Sequence, residues 1–293
     1  MNAKEQNNLE MDIDKKSIHS TDQAGRDVRI LKQEQTSDLA SKYKTGIHEI
    51  YLAALKKKIM PYRYIRNMQS ISIDEQLKLC QSRVSIIGAG GLGGQVILML
   101  ARMGIGELII VDHDVFDETN LNRQALSSLD TLGRHKAEIA KETVESINPG
   151  VKAAAYIDRL DNSNGEKIMA GSDVIVDALD NISDRFILDK IARKTNVPLV
   201  HGAVAGFEGQ LMTIFPGDAG MENLYGKSGK DESPEKTPVS ILGVPAVSPA
   251  IIATYQAIEV LKIILKKENL FRNMMIYSDF EKCESRKLYF KKE

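Results

Sequence analysis

The chain has 293 residues, 43% of them hydrophobic, and its 39 Lys and Arg against 40 Asp and Glu leave a net charge of -1. That length suits one large α/β domain or two small ones with a real core, and the balanced charge gives no electrostatic case for nucleic-acid binding. There is no run of 18 apolar residues, so no bilayer span is expected, and the two distant cysteines, Cys80 and Cys283, form no disulfide framework.

The opening MNAKEQNNLEMDIDKK lacks the apolar stretch of a secretory signal, so a cytoplasmic location is expected. Residues 1–45 are polar and aperiodic, which predicts a flexible tail. Residues 46–82 carry Ile50, Leu52, Leu55 and Ile59 at helical spacing and then a break at Pro61. The main domain is expected over 83–293. It opens with VSIIGAG, a short apolar strand running into glycines, then the helix-like GLGGQVILMLARMG, then the strand ELIIVD. Strand, glycine turn, helix and strand make a βαβ unit, which demands a parallel sheet.

The alternation continues. Residues 133–148 read as a helix stopped by Asn148-Pro149-Gly150, followed by the strands VKAAAYID and SDVIVDALD, the second ending in acidic residues. A helix from Phe186 to Thr195 leads to the strands VPLVHGAV and EGQLMTIFP. Residues 217–237 are rich in Gly, Lys, Glu and Ser and predict a long crossing loop. Ser248-Pro249 reads as an N-cap and first helical residue, and NMMIYSDF with SRKLYFKK reads as a closing hairpin. The expected fold is α/β and Rossmann-like: a mostly parallel central sheet, flanking helices and a C-terminal antiparallel extension.

Gly88, Gly90 and Gly93 form G-x-G-x-x-G between a strand and a helix. Small residues there let the backbone approach phosphate, and the helix N-terminus offers free N–H donors. Asp112 ends the next strand, 19 residues after Gly93, where a carboxylate can hold ribose hydroxyls. This pattern alone fits NAD as well as ATP. Three further features favour ATP. Asn120–Gln124, N-L-N-R-Q, places Arg123 as a planar, permanently charged donor for phosphate. Lys136 begins a helix and can reach the same phosphates. Asp180, in D-A-L-D-N at Asp177–Asn181, stands at the C-terminal end of a strand, where open α/β sheets bind ligands and where a carboxylate suits Mg²⁺.

At these residues the chain resembles the ThiF/MoeB/HesA family, the bacterial relatives of ubiquitin-activating enzymes. The resemblance runs from about Arg63 to the C-terminus, and it includes Arg63-Tyr64-Ile65-Arg66-Asn67, like the family's R-Y-x-R-Q with Asn67 in place of Gln. It implies an adenylyltransferase that uses ATP and Mg²⁺ to activate the C-terminal glycine carboxylate of a small ubiquitin-like sulfur-carrier protein, in a thiamine or molybdopterin type of pathway. It further implies that Gly91 lies against the nucleotide, that Asp112 binds ribose, and that Asn120 and Arg123 contact phosphates with Gln124 supporting the turn. Lys136 would bind the outer phosphates, Asp180 would coordinate Mg²⁺ through ATP, Asn181 would frame the site, and Arg185 would stand behind it. Arg66 would reach the nucleotide of the second subunit of a homodimer.

The departures are informative. Many family members hold a structural zinc with two C-x-x-C pairs, and two cysteines in the whole chain cannot supply it. Neither Cys80 nor Cys283 matches the family's persulfide or thioester cysteine, so adenylation without an enzyme thioester is expected. His113, His135 and His201 have no expected chemical role. Three alternatives stand beside this reading. A tRNA-modifying, carboxylate-adenylating relative would share the ATP residues, an NAD(P)-dependent oxidoreductase would share the glycine turn, and a scaffold subunit would lack the phosphate-binding residues.

Overall fold

A computed structural model of the chain describes residues 3–226 and 237–290. Residues 1–45, expected to be a flexible tail, are folded from residue 3 onward. Helix α1 (Ala3–Lys16) is followed by strands β1 (Ile18–Thr21) and β2 (Asp27–Leu31), then helices α2 (Gln33–Tyr43) and α3 (Ile47–Lys56) and strand β3 (Ile59–Pro61). β1 pairs antiparallel with β2, and β3 adds parallel to β2, so the 46–82 segment is not wholly helical. The small core here is Leu9 and Ile13 of α1 packed with Leu31, Leu39, Ile50, Ala54 and Ile59. Among the described residues, Leu9 and Ile13 are the fully buried apolar residues of α1, and every partner comes from later in the chain. Local periodicity had too little to register, and tertiary burial decides the structure.

A 3-10 turn at Tyr62–Asn67 and helix α4 (Ile73–Gln81) join this module to the main domain. Ser72 caps α4 in a box with Glu75. Tyr64 is buried and its hydroxyl accepts a hydrogen bond from Asn148 Nδ2 at 2.7 Å. A Cβ on Gly104 would lie 2.5 Å from the Tyr64 hydroxyl. His48 Nδ1 bonds the carbonyl of Gly150 at 3.0 Å. These contacts all lie where the central strands begin.

The main sheet uses β4 (Arg83–Ile87), β5 (Glu107–Val111), β6 (Lys152–Tyr156), β7 (Val174–Asp177), β8 (Leu199–Ala205), β9 (Glu208–Ile214), β10 (Met274–Asp279) and β11 (Glu284–Tyr289). The spatial order is β11-β10-β9-β8-β7-β4-β5-β6. β6, β5, β4, β7 and β8 run parallel, and β9, β10 and β11 extend them antiparallel. β4 pairs with β5 on one side and β7 on the other, so the chain order reverses direction between β4 and β7, the crevice where such sheets bind ligands.

Side chains alternate between two cores with the two-residue period of a strand. Val84, Ile86, Leu108, Ile110, Val174 and Val176 face helices α5 (Gly91–Met103), α6 (Lys136–Ile147) and α11 (Val247–Leu265). Ile87, Ile109, Val111 and Ile175 face α7 (Gly165–Met169), α8 (Ile182–Thr195) and α9 (Met221–Tyr225). α11 is long and apolar enough to cross a membrane by length and composition. Here Ile252, Ala253, Ala257 and Val260 are spent on the sheet and on α5 instead. It begins at Val247 rather than with Ser248 as its cap; the Ser248 hydroxyl donates to the Gly206 carbonyl at 2.7 Å.

The expected crossing loop at 217–237 is structured at both described ends. Asp218 is gripped by Arg272 through Nε and Nη2 at 2.6 and 2.9 Å, α9 follows, and α10 (Pro238–Leu242) starts after Thr237, its side-chain cap. Residues 227–236 lie outside the described residues.

Candidate active site

The glycine turn is shaped by what it must avoid. Gly88 has φ +97°, a region that favours glycine, and a Cβ there would lie 2.5 Å from the Ala178 carbonyl oxygen. A Cβ on Gly93 would overlap the Gly88 carbonyl. The missing side chains let the end of β4, the first turn of α5 and the end of β7 meet. Gly90 is the N-cap, Gly91 opens the helix, and the Gly94 N–H donates the first helical bond to Gly90 at 2.9 Å. The N–H groups ahead of Gly94 have no intrahelical acceptor, which is the condition for holding phosphate.

Asp112 follows β5 and is buried beside this turn. Its Oδ2 accepts the Ala89 N–H at 2.6 Å and its Oδ1 accepts the Asp114 N–H at 2.9 Å. Burial raises its carboxyl above the ordinary range, and the two backbone donors and Lys136 oppose that without cancelling it.

The N-L-N-R-Q segment wraps the glycines from outside. Asp117 caps a short 3-10 turn at Glu118–Asn120, and Asn120 Oδ1 accepts the Asp117 N–H at 3.2 Å. Asn120 and Gln124 are both buried. The Gln124 amide sits 3.6 Å from where a Gly90 Cβ would be, and its Oε1 is buried without a partner. Arg123 is half-buried and holds the Thr119 carbonyl at 2.7 Å and Asn122 Oδ1 at 3.0 Å. Gly91 lies between the Arg123 carbonyl and the Pro249 ring.

Lys136 is the first residue of α6, and its side chain is only 9% exposed. Its Nζ is 2.9 Å from Asp114 Oδ2. Burial alone would raise the Asp114 carboxyl, but Lys136 overrides it and the group titrates below its ordinary range. Asp112, His113 and Asp114 present ligand atoms within 4.8 Å of one another. The two carboxylates are already occupied by Ala89, Asp114 N–H and Lys136, so this trio is satisfied from within the chain.

Across the crevice, β7 ends at Asp177 and α8 begins at Ile182. Asn181 is the N-cap of α8, with Oδ1 accepting the Asp184 N–H at 2.8 Å. Asp180 is left exposed, with Asn181 Nδ2 3.4 Å away. Behind it is a buried polar group that sequence reading assembled only in part. Asp177 Oδ2 meets His201 Nδ1 at 2.7 Å, and Asp177 Oδ1 accepts the Leu179 N–H at 3.0 Å. Arg185 donates to the Leu179 carbonyl at 2.6 Å and to the Tyr225 hydroxyl at 3.0 Å. Burial pushes His201 down and Asp177 pulls it back only partly, so the ring is neutral.

The structure therefore brings Gly88, Gly90, Gly91, Gly93, Asp112, Asn120, Arg123, Gln124, Lys136, Asp180 and Asn181 to the C-terminal edge of the parallel strands. It does not bring Arg66 there. Arg66 lies in the turn at Tyr62–Asn67, whose neighbours Tyr64 and Arg63 hold Gly104, Asn148 and the Ile147 carbonyl at the opposite edge. Its Nε is 2.8 Å from the Gln23 amide oxygen in the orientation that satisfies both groups. Asp114 and Tyr225 were not anticipated. Asp114 had a signal, two residues beyond Asp112 in the same turn; Tyr225 had none.

The sequence profile of the ThiF family matches residues 63–292. The SAMP-activating enzyme E1 of Haloferax volcanii is 38% identical over 222 residues, 74% of this chain and 80% of that protein. The sulfur carrier protein adenylyltransferase of Thermus thermophilus is 32% identical over 214 residues, 69% of this chain and 77% of that one. A probable molybdopterin-synthase adenylyltransferase of Porphyra purpurea is 34% identical over 73% of this chain, which spans 56% of that longer protein. Among solved structures, E. coli MccB with MccA-N7isoASN superposes with a TM-score of 0.68 at 23% identity, covering 79% of this chain and 72% of that one, a likeness of fold.

Proposed function

Because the chain belongs to the ThiF family, we propose that it is an ATP-dependent adenylyltransferase for the C-terminal glycine carboxylate of a small ubiquitin-like sulfur-carrier protein. The observation that carries this reading is the crevice itself. A glycine cradle closes against β7, with the buried Lys136 and Asp112 on one side and the exposed Asp180 on the other. The relatives named for adenylation of sulfur carriers and of molybdopterin synthase support it.

ATP is the substrate, and the site fits it. A Cβ would fill the cradle, and the unpartnered Gln124 Oε1 faces the turn that would receive the nucleotide. Asp112 lies where ribose would sit, and the N-terminus of α5 points at the phosphates. The carrier's carboxylate is already ionised at pH 7, so no general base is required. Its oxygen attacks the α-phosphorus, the bond from that phosphorus to the bridging oxygen breaks, and pyrophosphate leaves with the electron pair. The products are an acyl adenylate and pyrophosphate. What the chain must supply is alignment and positive charge where the leaving group gathers negative charge. Arg123 and Lys136 supply it, with Lys136 turning from Asp114 to phosphate. Asp180 would hold Mg²⁺ together with ATP oxygens and water, and the ion would neutralise part of the same charge. Arg66 would act across a homodimer, since within one chain it lies at the far edge of the sheet.

The test is ATP–pyrophosphate exchange with the purified protein, Mg²⁺ and a panel of carriers ending in Gly-Gly, beside a no-carrier control. Exchange with one carrier is expected, and Lys136→Ala or Arg123→Ala should lower it by about 10²–10³-fold. Exchange that survives both substitutions would overturn the site assignment. Failure with every carrier would overturn the substrate class.

A further inference from the structure

We propose that Tyr225, at the end of α9, is a positioning residue for the Asp180 carboxylate, so that the last turn of α9 governs how tightly Mg²⁺ is held with ATP. The proposal rests on the adenylation reading for its ligand and on the following geometry for its residues.

The hydrogen bonds around Tyr225 have a forced direction. Its hydroxyl oxygen receives Arg185 Nη1 at 3.0 Å and Gln210 Nε2 at 2.7 Å. Both are obligate donors. His201 Nε2 faces donors only, the phenol O–H at 3.2 Å and Gln210 Nε2 at 3.3 Å. That nitrogen must then be the acceptor of the ring, so Nδ1 carries the proton and donates it to Asp177 Oδ2 at 2.7 Å. The chain of donors runs from α9 into the end of β7 with a place for each proton. Tyr225 also meets the His201 ring edge-on at 5.9 Å and lies 5.7 Å from the Arg185 guanidinium.

Both ends of this chain grip one residue. The Leu179 N–H donates to Asp177 Oδ1 at 3.0 Å, and the Leu179 carbonyl accepts Arg185 Nη2 at 2.6 Å. Leu179 precedes Asp180, and Asn181 after it is fixed as the cap of α8. Asp180 is thus an exposed carboxylate on a backbone clamped on either side. Arg185 is the weak point of the clamp. It is buried, and its Nε has no hydrogen-bond acceptor, with Asp177 Oδ2 3.6 Å away. Its hydrogen bonds go to Leu179 and Tyr225, with the Asp177 ion pair beside them. Without the phenol oxygen, Nη1 becomes a second buried donor without a partner, and the guanidinium must turn toward a new acceptor and release the Leu179 carbonyl.

The test is calorimetric titration of ATP into wild-type protein and Tyr225→Phe, with and without Mg²⁺. The ring is kept, so packing is kept. Mg²⁺-free ATP binding should be unchanged, while the tightening by Mg²⁺ should fall by about 10-fold or more, as for other groups that orient a metal ligand. Asp180→Asn should abolish the tightening, and adding Tyr225→Phe to it should cost nothing further, because the two act through one ligand. Arg185→Lys, which keeps charge but loses the fork, should copy Tyr225→Phe. Equal weakening with and without Mg²⁺, or additive losses in the double variant, would overturn the proposal. The readout needs no carrier. A protein that shows this Mg²⁺ effect yet exchanges pyrophosphate with no carrier would overturn the carrier reading and leave the positioning role intact.

Discussion

The two sides of the crevice are built by opposite means. On the β4–β5 side the site is made by leaving side chains out: Gly88 and Gly93 admit backbone where a Cβ would collide. On the β7–β8 side it is made by putting charge in: Asp177, Arg185 and His201 are buried together and hold the loop that carries Asp180. The first side should fail by steric overlap, which is local. The second should fail by stranding a buried polar group, which spreads to every partner that group held.

The largest effect should come from the second side. Asp177→Ala removes the acceptor of His201 and of the Leu179 N–H and leaves Arg185 without its nearest carboxylate. Removing one partner from a buried charged pair is expected to cost about 3–5 kcal/mol, read as a fall in the urea midpoint. Gly93→Ala on the first side should cost less, about 1–3 kcal/mol for an overpacked contact, but should abolish ATP binding because α5 must shift away from the turn. Gly133→Ala is the control: φ is +78° there with nothing within 4 Å of the added Cβ, so only backbone strain is expected and ATP binding should survive. If Asp177→Ala proved milder than Gly93→Ala, the buried group would be contributing little and the contrast between the two sides would fail.

This contrast also separates what was legible in the sequence from what was not. The glycine turn, Asp112 and N-L-N-R-Q lie within one βαβ stretch of 88–124, where spacing dictates proximity, and the parallel sheet followed from the alternation of apolar strands and helices. Asp180 and Asn181 were legible as the end of a strand, but the role of Asn181 as the cap of the next helix was not. Tyr225 and His201 are 24 residues apart and meet only because β8 and α9 fold onto the same strand ends. No local pattern marks such a contact. The N-terminal module was hidden for the same reason, since Leu9 and Ile13 of α1 are buried by residues from α2, α3 and β3.

A smaller effect, in pH, sharpens the same division. His201 is held below its ordinary value of 6.5 by burial, and the folded state therefore binds fewer protons there than the unfolded chain. Stability from this group is present above 6.5 and is lost as pH falls through and below that value. Urea midpoints should decline between pH 7.5 and about pH 5, and His201→Gln should flatten the decline. The slope should shrink and not vanish, because burial lowers His48 too and gives it the same sign. Asp112, on the other side, is raised by burial, so its folded form keeps a proton longer and its contribution falls as pH climbs above the ordinary carboxylate value of 3.8. A decline that His201→Gln leaves unchanged would show that His201 is not buried neutral.

The smallest effect tests whether Lys136 is held ready or held back. Its ammonium is buried, but its partner Asp114 is half exposed, so the pair is partly screened and worth about 0.2–1 kcal/mol. ATP must draw Lys136 away from Asp114 or share it, and either way works against that pairing. Asp114→Asn keeps the shape and removes the competing charge. It should tighten ATP binding by up to about fivefold, the equivalent of 1 kcal/mol, and the gain should diminish as salt is added. Weaker binding in the variant would mean that Asp114 aims Lys136 at the phosphates. The β4–β5 side would then depend on a placed charge as well as on absent side chains, and the difference between the two sides would be one of degree.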